Sequence, residues 1–303
     1  MTIPTARYSE AADVKIDYEK CISCGLCVKV CKGAPLYFQD GTVRIDQAHY
    51  FGCIGCGHCV AICPTEAIKL KGRDISQDSF LDIPPKEKRA RYDELIALML
   101  ARRSIREFET REVEQEKIEK ILAAASTAPM GFPPSDVEVL VLKGKGKVRE
   151  FSDDMLELMK SQKWFFSKPS LLLMQPFMKK EEYEVMDKFF NPAIEAFEEK
   201  RKEGVDWLLY DAPLAMYFHV SAYSDRADPF ITATYAMLVA ETLDLGSCMI
   251  GTIGPMLKSG GKKVKEKYGI NARNQPGLAI VFGYPAVKYK RSIRRNLAKI
   301  NYY

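Results

Sequence analysis

Eight of the nine cysteines in this 303-residue chain fall into two runs that share one spacing. Each run reads C-x2-C-x2-C-x3-C. The members are Cys21, Cys24, Cys27 and Cys31 in the first run, and Cys53, Cys56, Cys59 and Cys63 in the second. Thiolates at this spacing hold cubane iron–sulfur clusters. The repeat therefore predicts two [4Fe-4S] clusters in one small module.

The last cysteine of each run is predicted to bind the cluster of the other run. Three cysteines separated by two residues can wrap one cluster, because a tight turn aims their sulfurs at a single centre, and the fourth lies on the short helix that follows. This sorting assigns Cys21, Cys24, Cys27 and Cys63 to the first cluster, and Cys53, Cys56, Cys59 and Cys31 to the second.

Zinc and disulfide bonds are the alternatives for such a segment. Structural zinc sites use two CxxC pairs set apart, not a run of three with a trailing fourth. Disulfides need an oxidising compartment, and residues 1–15 contain no apolar core of a secretion signal. Reduced cluster ligands instead indicate a reducing, cytoplasmic setting.

This part of the chain resembles a bacterial two-cluster ferredoxin, and the resemblance extends to the CPTEAI segment that begins at Cys63. Lys32 stands where that family usually has a proline after the fourth cysteine. The departure concerns the geometry of one turn and leaves the ligand set unchanged.

The chain is predicted to divide into a ferredoxin-like domain at 1–75, a linker at 76–90 and a larger domain at 91–303. The linker is polar, contains Pro84 and Pro85, and has neither helical nor alternating periodicity. Beyond it, residues 91–104, 113–126 and 229–246 have helical patterns, whereas 135–144, 212–222 and 276–285 read as strands. The KGKGKV segment at 143–148 lacks the third glycine of a dinucleotide-binding loop and predicts a hairpin-like turn. The expected fold class is α+β.

Arg102, Ser104 and Arg106 follow the first helix of the larger domain at every second position. In an extended segment this spacing turns all three side chains to one side. Guanidinium and hydroxyl groups on one side suit a phosphate or a negatively charged ring edge. A solvated, charged helix end is the alternative that the spacing alone leaves open.

The second half of the chain also resembles the nitroreductase family of FMN enzymes, in four places and in the family's order. The four segments are RRSIREF (102–108), AAASTAPMGFPPSDVEVLVL (123–142), ETLDLGSCMIGTI (241–253) and GLAIVFGYPAVKYKRSIRR (277–295). With the cysteine runs, the whole chain resembles a ferredoxin–nitroreductase fusion. The resemblance implies an FMN-binding α+β sandwich domain, and a homodimer whose interface forms the flavin sites.

The resemblance also implies which residues contact FMN. Arg102, Arg103, Ser104 and Arg106 match contacts to the phosphate, ribityl chain and pyrimidine edge. Pro129, Met130 and Gly131 match the turn that reaches the flavin from the second subunit. Met249, Ile250, Gly251 and Thr252 match the segment along the ring, and Lys290 and Arg291 match a second phosphate clamp.

Two segments depart from the family pattern. The family's A-P-S turn continues with Asn, Gln and Trp, but this chain reads APMGFPPSD and lacks all three. Residues 161–210 are longer than a minimal member needs and are predicted to form a lid over the flavin, with Trp164, Phe165, Phe166 and Tyr183 as candidate walls. A helical insert that packs on the dimer partner is an equal alternative.

Two further residues carry weaker signals. Cys248 lies in the segment matched to the flavin site, but a packing role is typical of a small buried cysteine. His219, near a strand end, is a candidate proton donor, although a core histidine with satisfied hydrogen bonds is the commoner case. The sequence therefore assigns a catalytic role to neither.

The composition excludes some classes of partner. No apolar run approaches the roughly 20 residues that span a bilayer. The net charge of +5 is mild, and the basic residues after Gly283 favour a solvated tail or a phosphate contact over nucleic acid. The predicted partners are therefore a second copy of the chain, an electron donor and a small organic substrate.

Together the motifs predict an iron–sulfur flavoprotein oxidoreductase. Electrons would pass from a low-potential donor, a ferredoxin-like protein or NAD(P)H, through two [4Fe-4S] clusters to FMN. The substrate would be a nitro compound, a quinone or an activated double bond. A non-catalytic electron-transfer module that docks a partner enzyme is the alternative. The sequence does not identify the catalytic residues.

Overall fold

The structure is a computed structural model that describes residues 2–32, 35–164, 167–177 and 179–303. Its N-terminal part contains two antiparallel strand pairs. Strand β1 (Asp13–Ile16) pairs with β4 (Ile68–Lys71), and β2 (Leu36–Gln39) pairs with β3 (Thr42–Ile45). Two short helices, α1 (Leu26–Val30) and α2 (His58–Ala61), each carry the third cysteine of a run.

Glycines set the start of both short helices. Gly25 and Gly57 have φ angles of 72° and 76°, in the left-handed region that favours glycine. The chain therefore turns sharply just before each third cysteine, and Cys27 and Cys59 become buried beside apolar residues of the four strands.

The larger part is built on a four-stranded antiparallel sheet in the order β5-β6-β8-β7. The strands are β5 (Val137–Lys143), β6 (Leu214–Val220), β7 (Gly246–Ile250) and β8 (Gln275–Gly283). The helices are α3 (Tyr92–Ala101), α4 (Gln115–Ala125), α5 (Lys145–Gln162), α6 (Lys168–Met174), α7 (Lys180–Val185), α8 (Asn191–Lys202), α9 (Asp228–Thr242), α10 (Ile253–Gly260) and α11 (Lys262–Lys267).

Helices cover both faces of this sheet. Along β6, Leu214, Met216 and Phe218 pack with α4 and α9, whereas Ala215 and Tyr217 pack with α5 and α10. Alternate residues of a strand point to opposite faces, so a strand that is covered twice must be apolar at nearly every position. Every residue of β6 is buried. The α+β sandwich predicted from the sequence is confirmed.

One local prediction is wrong. Residues 143–148 do not form a hairpin-like turn, because Lys143 ends β5 and the 18-residue helix α5 begins at Lys145. Only Gly144 has a left-handed backbone, with φ of 90°. Val148, Phe151 and Met155 are buried at helical spacing, and their burial outweighs the cost of Gly146 inside the helix.

The described part of the insert at 161–210 is mostly helical up to Lys202, and residues 203–210 form turns. It contains the end of α5, then α6, a 3₁₀ turn (Gln175–Phe177), α7, a π-helical turn (Met186–Phe190) and α8. Leu173 and Phe177 are 78% and 91% exposed. Phe165 and Phe166, two of the candidate walls, lie outside the described residues.

The predicted linker at 76–90 consists of two short 3₁₀ turns, Gln77–Ser79 and Lys86–Lys88, joined by exposed chain. The domain boundaries themselves stay a prediction. A search of the described helices finds none with the length and apolarity needed to cross a bilayer.

Candidate functional site

The cysteines surround two separate cavities. The first is lined by Cys21, Cys24, Cys27 and Cys63. The second is lined by Cys31, Cys53, Cys56 and Cys59. Each cavity thus receives three cysteines from one run and the last cysteine of the other run. The grouping is the one predicted from spacing, and ligation by these residues stays a prediction.

These cavities suit a group larger than one ion. Within the described residues, no three His, Cys, Asp or Glu side chains are placed to hold a single metal ion. A cubane binds four thiolates through four different irons, so its ligands stand further apart than the four around a zinc ion. Each cavity offers the four cysteines that a cubane uses as ligands.

The thiols also need the positive charge that iron supplies. Burial raises the pKa of the Cys59 thiol to about 12, and the neighbouring Cys53 and Cys31 add to the rise. A bound metal instead deprotonates its thiol ligand outright. At Cys63 the backbone N–H of Ala67 donates to the sulfur at 3.2 Å. Such hydrogen bonds stabilise charge on a ligand sulfur.

The arginine-rich segment lies along the free edge of the larger sheet. Ser104 forms a parallel bridge with Ser247 of β7, and the Ile105 N–H donates to the Ser247 carbonyl at 3.0 Å. Gly246 permits this approach, because a Cβ at that position would stand 2.4 Å from a side-chain carbon of Ile105. The segment is therefore held in register against β7.

Arg102, Ser104 and Arg106 all affect the pKa of one side chain, the Cys248 thiol. Burial raises the pKa of the Cys248 thiol, whereas Arg106, Ser104 and Arg102 oppose the rise. All three residues therefore lie near Cys248 of β7. Arg106 also lies over the ring of Tyr210, with its guanidinium carbon 5.8 Å from the ring centroid.

Arg103 lines a basic cavity of about 660 Å³. The cavity lies between α3, the C-terminal end of α9 and the segment after β8. Its cationic lining comprises Arg103, Lys288, Lys290 and Arg291, and its acidic lining comprises Glu241 and Asp244. Burial raises the pKa of Glu241, while Arg102 and Arg103 oppose the rise. The structure therefore brings the predicted second phosphate clamp to the arginine segment.

Several buried polar atoms around this region have no protein partner. Among the described residues they include Arg103 Nε, Ser247 Oγ and Thr252 Oγ1. Buried polar groups are nearly always hydrogen-bonded in folded proteins, so these atoms indicate a missing polar ligand. A phosphate-bearing flavin suits both the orphaned donors and the basic cavity.

The segment matched to the flavin ring lies at the end of β7 and the start of α10. Met249 is 46% exposed and Gly251 is exposed, whereas the side chain of Ile250 is buried in the core. Contacts from Ile250 would therefore come from its backbone. Thr252 is the residue before α10.

The turn at 129–131 lies at the other end of α9. The Gly131 N–H donates to both carboxylate oxygens of Asp228, at 3.1 and 3.3 Å. Asp228 begins α9, and Glu241, beside Arg102 and Arg103, lies near its end. The helix spans roughly 20 Å. A single chain therefore does not bring Pro129, Met130 and Gly131 to the arginine segment.

The weaker candidates have structural surroundings. His219 is buried and its Nδ1 lies 3.0 Å from the Asn274 amide nitrogen. Burial lowers the pKa of His219, which keeps the ring neutral. Cys248 packs in the apolar core between the sheet and α10.

Sequence reasoning missed Tyr210 and Glu241, which contact or face the arginines. Glu241 is the first charged residue of the nearly all-apolar helical pattern at 229–246, and its position was a usable signal. Tyr210 is more than a hundred positions from Arg106, and no local pattern links the two.

Comparisons with known proteins agree with this architecture. The profile of the nitroreductase family matches residues 99–284, and that of a 4Fe-4S dicluster domain matches residues 13–65. No curated protein matches the chain.

Solved structures resemble the larger domain. A nitroreductase with bound FMN from Bacteroides fragilis is 15% identical, with a TM-score of 0.50 over 69% of this chain and 99% of that chain. An FMN-dependent nitroreductase from Clostridium difficile is 24% identical, with a TM-score of 0.46 over 68% and 98%.

At 15% identity the likeness to the Bacteroides fragilis structure shows the fold alone, whereas the family profile covers more than half of the chain. The chain therefore belongs to the nitroreductase family of FMN-dependent oxidoreductases, and it carries a 4Fe-4S dicluster domain ahead of the family domain.

Proposed function

We propose that this chain takes electrons from a low-potential donor, a ferredoxin-like protein or NAD(P)H, and reduces a small organic substrate. When bound, two [4Fe-4S] clusters carry single electrons, and FMN combines them into pairs for a nitro compound, a quinone or an activated double bond. The observation that carries the proposal is the presence of two four-cysteine cavities in one chain with a nitroreductase domain.

The eight cysteines supply the ligands of the two clusters in this proposal. Cys21, Cys24, Cys27 and Cys63 hold the first, and Cys53, Cys56, Cys59 and Cys31 hold the second. Their buried members stand in an apolar cluster of residues, which limits water around the reduced state. Eight thiolate ligands suit a reducing compartment, and we place the protein in the cytoplasm on that ground.

The flavin site of the proposal has three parts. The arginine segment and the basic cavity bind the phosphate and the pyrimidine edge through Arg102, Arg103, Ser104, Arg106, Lys290 and Arg291. The end of β7 lies along the ring through Met249, Ile250, Gly251 and Thr252. The turn of Pro129, Met130 and Gly131 comes from the second subunit, because α9 separates it from the arginines within one chain.

Helix α3 supports the homodimer. None of its residues is fully buried within the chain, and Leu95, Met99 and Leu100 on it are 41–45% exposed. Apolar side chains that a helix leaves exposed in its own chain favour a second surface that covers them. We propose that a second copy covers α3 and completes the flavin site.

Replacing Arg102 or Arg106 with alanine should weaken FMN binding about ten- to a hundredfold. Each change removes a charge-assisted hydrogen bond, worth roughly 1.5–3 kcal/mol. The measurement is the FMN dissociation constant by fluorescence titration, with iron content checked in the same samples. Arg111→Ala is the matched control, because Arg111 lies outside the arginine segment at 102–106 and stacks on Tyr284 at 4.0 Å. Wild-type flavin affinity in both variants would contradict this assignment.

Turnover separates the reductase from a non-catalytic electron carrier. With reduced ferredoxin as donor and no oxygen, the holoprotein should consume at least one of three probes: a nitroaromatic compound, a benzoquinone or an activated enone. Each substrate molecule should take up electrons in pairs, measured by its loss against oxidised donor. A reduced flavin that persists in the presence of all three probes would contradict the reductase and favour the carrier.

A further inference from the structure

Arg73 is a buried cation between the second cysteine cavity and the flavin domain. Only 3% of the residue is exposed. Its Nε donates to the Ile54 carbonyl at 3.0 Å, and its Nη2 donates to the Pro133 carbonyl at 2.9 Å. Its Nη1 donates to the Glu10 carbonyl at 3.0 Å. One side chain thus ties the second cysteine run to the larger domain.

The charge of Arg73 acts on the second run. Cys53 precedes Ile54, whose carbonyl accepts from Arg73, and a Cβ at Gly55 would stand 3.2 Å from the Arg73 side chain. Burial lowers the pKa of Arg73, whereas Cys53 and then Asp136 oppose the fall. Guanidinium groups remain charged in proteins. Asp136 offsets part of this charge, and its Oδ2 accepts from the Ala6 N–H and the Ser221 hydroxyl at 2.6 and 2.8 Å.

The two cavities differ in charge. Besides its cysteines, the first is lined only by Ile, Leu, Val, Ala, Gly and Thr residues in the part of the chain that the structure describes. The second cavity is also lined by Lys32 and His58. The charge of Arg73 acts on Cys53, one of the cysteines that line it. Lys32 is the residue that replaces the proline usual in two-cluster ferredoxins. A cation beside a cluster favours the state that holds one more electron, because that state is more negative.

We propose that Arg73, assisted by Lys32, makes the second centre the exit toward the flavin domain. An electron that leaves the first centre oxidises it by one and reduces the second by one. Arg73 favours that direction through its charge, and its bond to Pro133 holds the second centre against the flavin domain. The inference rests on the proposed function, since it requires both clusters.

The test is an anaerobic redox titration of the full-length holoprotein, followed by electron paramagnetic resonance. In the wild type we expect two reduction steps, with the second centre reduced first. In Arg73→Gln the step of the second centre alone should move to lower potential. The equilibrium constant for electron transfer from the first centre to the second should fall about tenfold. This is the effect expected from losing one partly screened positive charge several ångströms from the second cluster. Arg73→Lys keeps the charge and should restore most of the difference.

A second pair of variants covers the case in which Arg73→Gln fails to fold. Lys32→Gln changes an exposed residue and should shift the same step in the same direction by a smaller amount. Lys71→Gln removes an exposed charge of β4 that lines neither cavity, and should shift neither step.

The possible outcomes separate a failure of the proposed function from a failure of the proposal for Arg73. A wild type without iron and sulfide contradicts the clusters, and with them the proposed function. A wild type with both clusters whose potentials coincide overturns the inference alone. Unchanged second-centre potentials in folded Arg73→Gln, or in Lys32→Gln when Arg73→Gln does not fold, overturn it as well.

Discussion

Alanine at Cys31 should remove the second cluster and spare the first, although Cys31 belongs to the first cysteine run. Cys31 lines the cavity of Cys53, Cys56 and Cys59, not that of Cys24. The wild type should contain about eight iron and eight sulfide per chain, and Cys31→Ala about four of each. Cys63→Ala should lose the same amounts of iron and sulfide, but from the first cluster.

Chemical iron and sulfide analysis gives the amount, and paramagnetic resonance of the reduced protein shows which centre remains. Cys31→Ala should resemble Cys56→Ala, whereas Cys63→Ala should resemble Cys24→Ala. Cys248→Ala is the control, because Cys248 lies in the core of the larger domain and should leave the iron content unchanged. If Cys31→Ala instead matched Cys24→Ala, the crossed sorting of ligands would be wrong.

Alanine at Cys24 should abolish delivery of electrons from a protein donor to FMN and leave the flavin pocket intact. Cys24 is exposed on the ferredoxin-like module and belongs to the first centre, which we propose as the acceptor end of the path. None of the residues assigned to FMN lies in that module. FMN should therefore bind with wild-type affinity, and direct reduction by NAD(P)H, where it occurs, should survive.

The features predicted well from the sequence are those set by local spacing or by complete burial. The cysteine runs encode tight turns, so the two groups of four follow from a few neighbouring residues. Strand β6 is buried at every position, and its continuous run of five apolar residues at 214–218 has few other solutions. The RRSIREF segment was found by its alternation, although alternation alone does not say which side faces β7.

The features that the sequence hid depend on residues far apart in the chain. Arg73 lies in a loop without periodicity, and its three carbonyl partners are Glu10, Ile54 and Pro133. Helix α5 was missed because two glycines near its start suggested a turn, while its buried face becomes clear only over 18 residues. The insert at 161–210 buries few of its apolar side chains within the chain, so its pattern gives no clear face.

The most direct test of the electron path is anaerobic stopped-flow absorbance of the flavin band in wild type and Cys24→Ala. Each protein is mixed in turn with reduced ferredoxin, dithionite and NADPH. The account predicts that flavin reduction by ferredoxin collapses in Cys24→Ala, while dithionite still reduces the flavin and any NADPH rate is retained. Reduction by ferredoxin at the wild-type rate in a variant shown to lack the first cluster would contradict the claim that the cysteine module feeds the flavin.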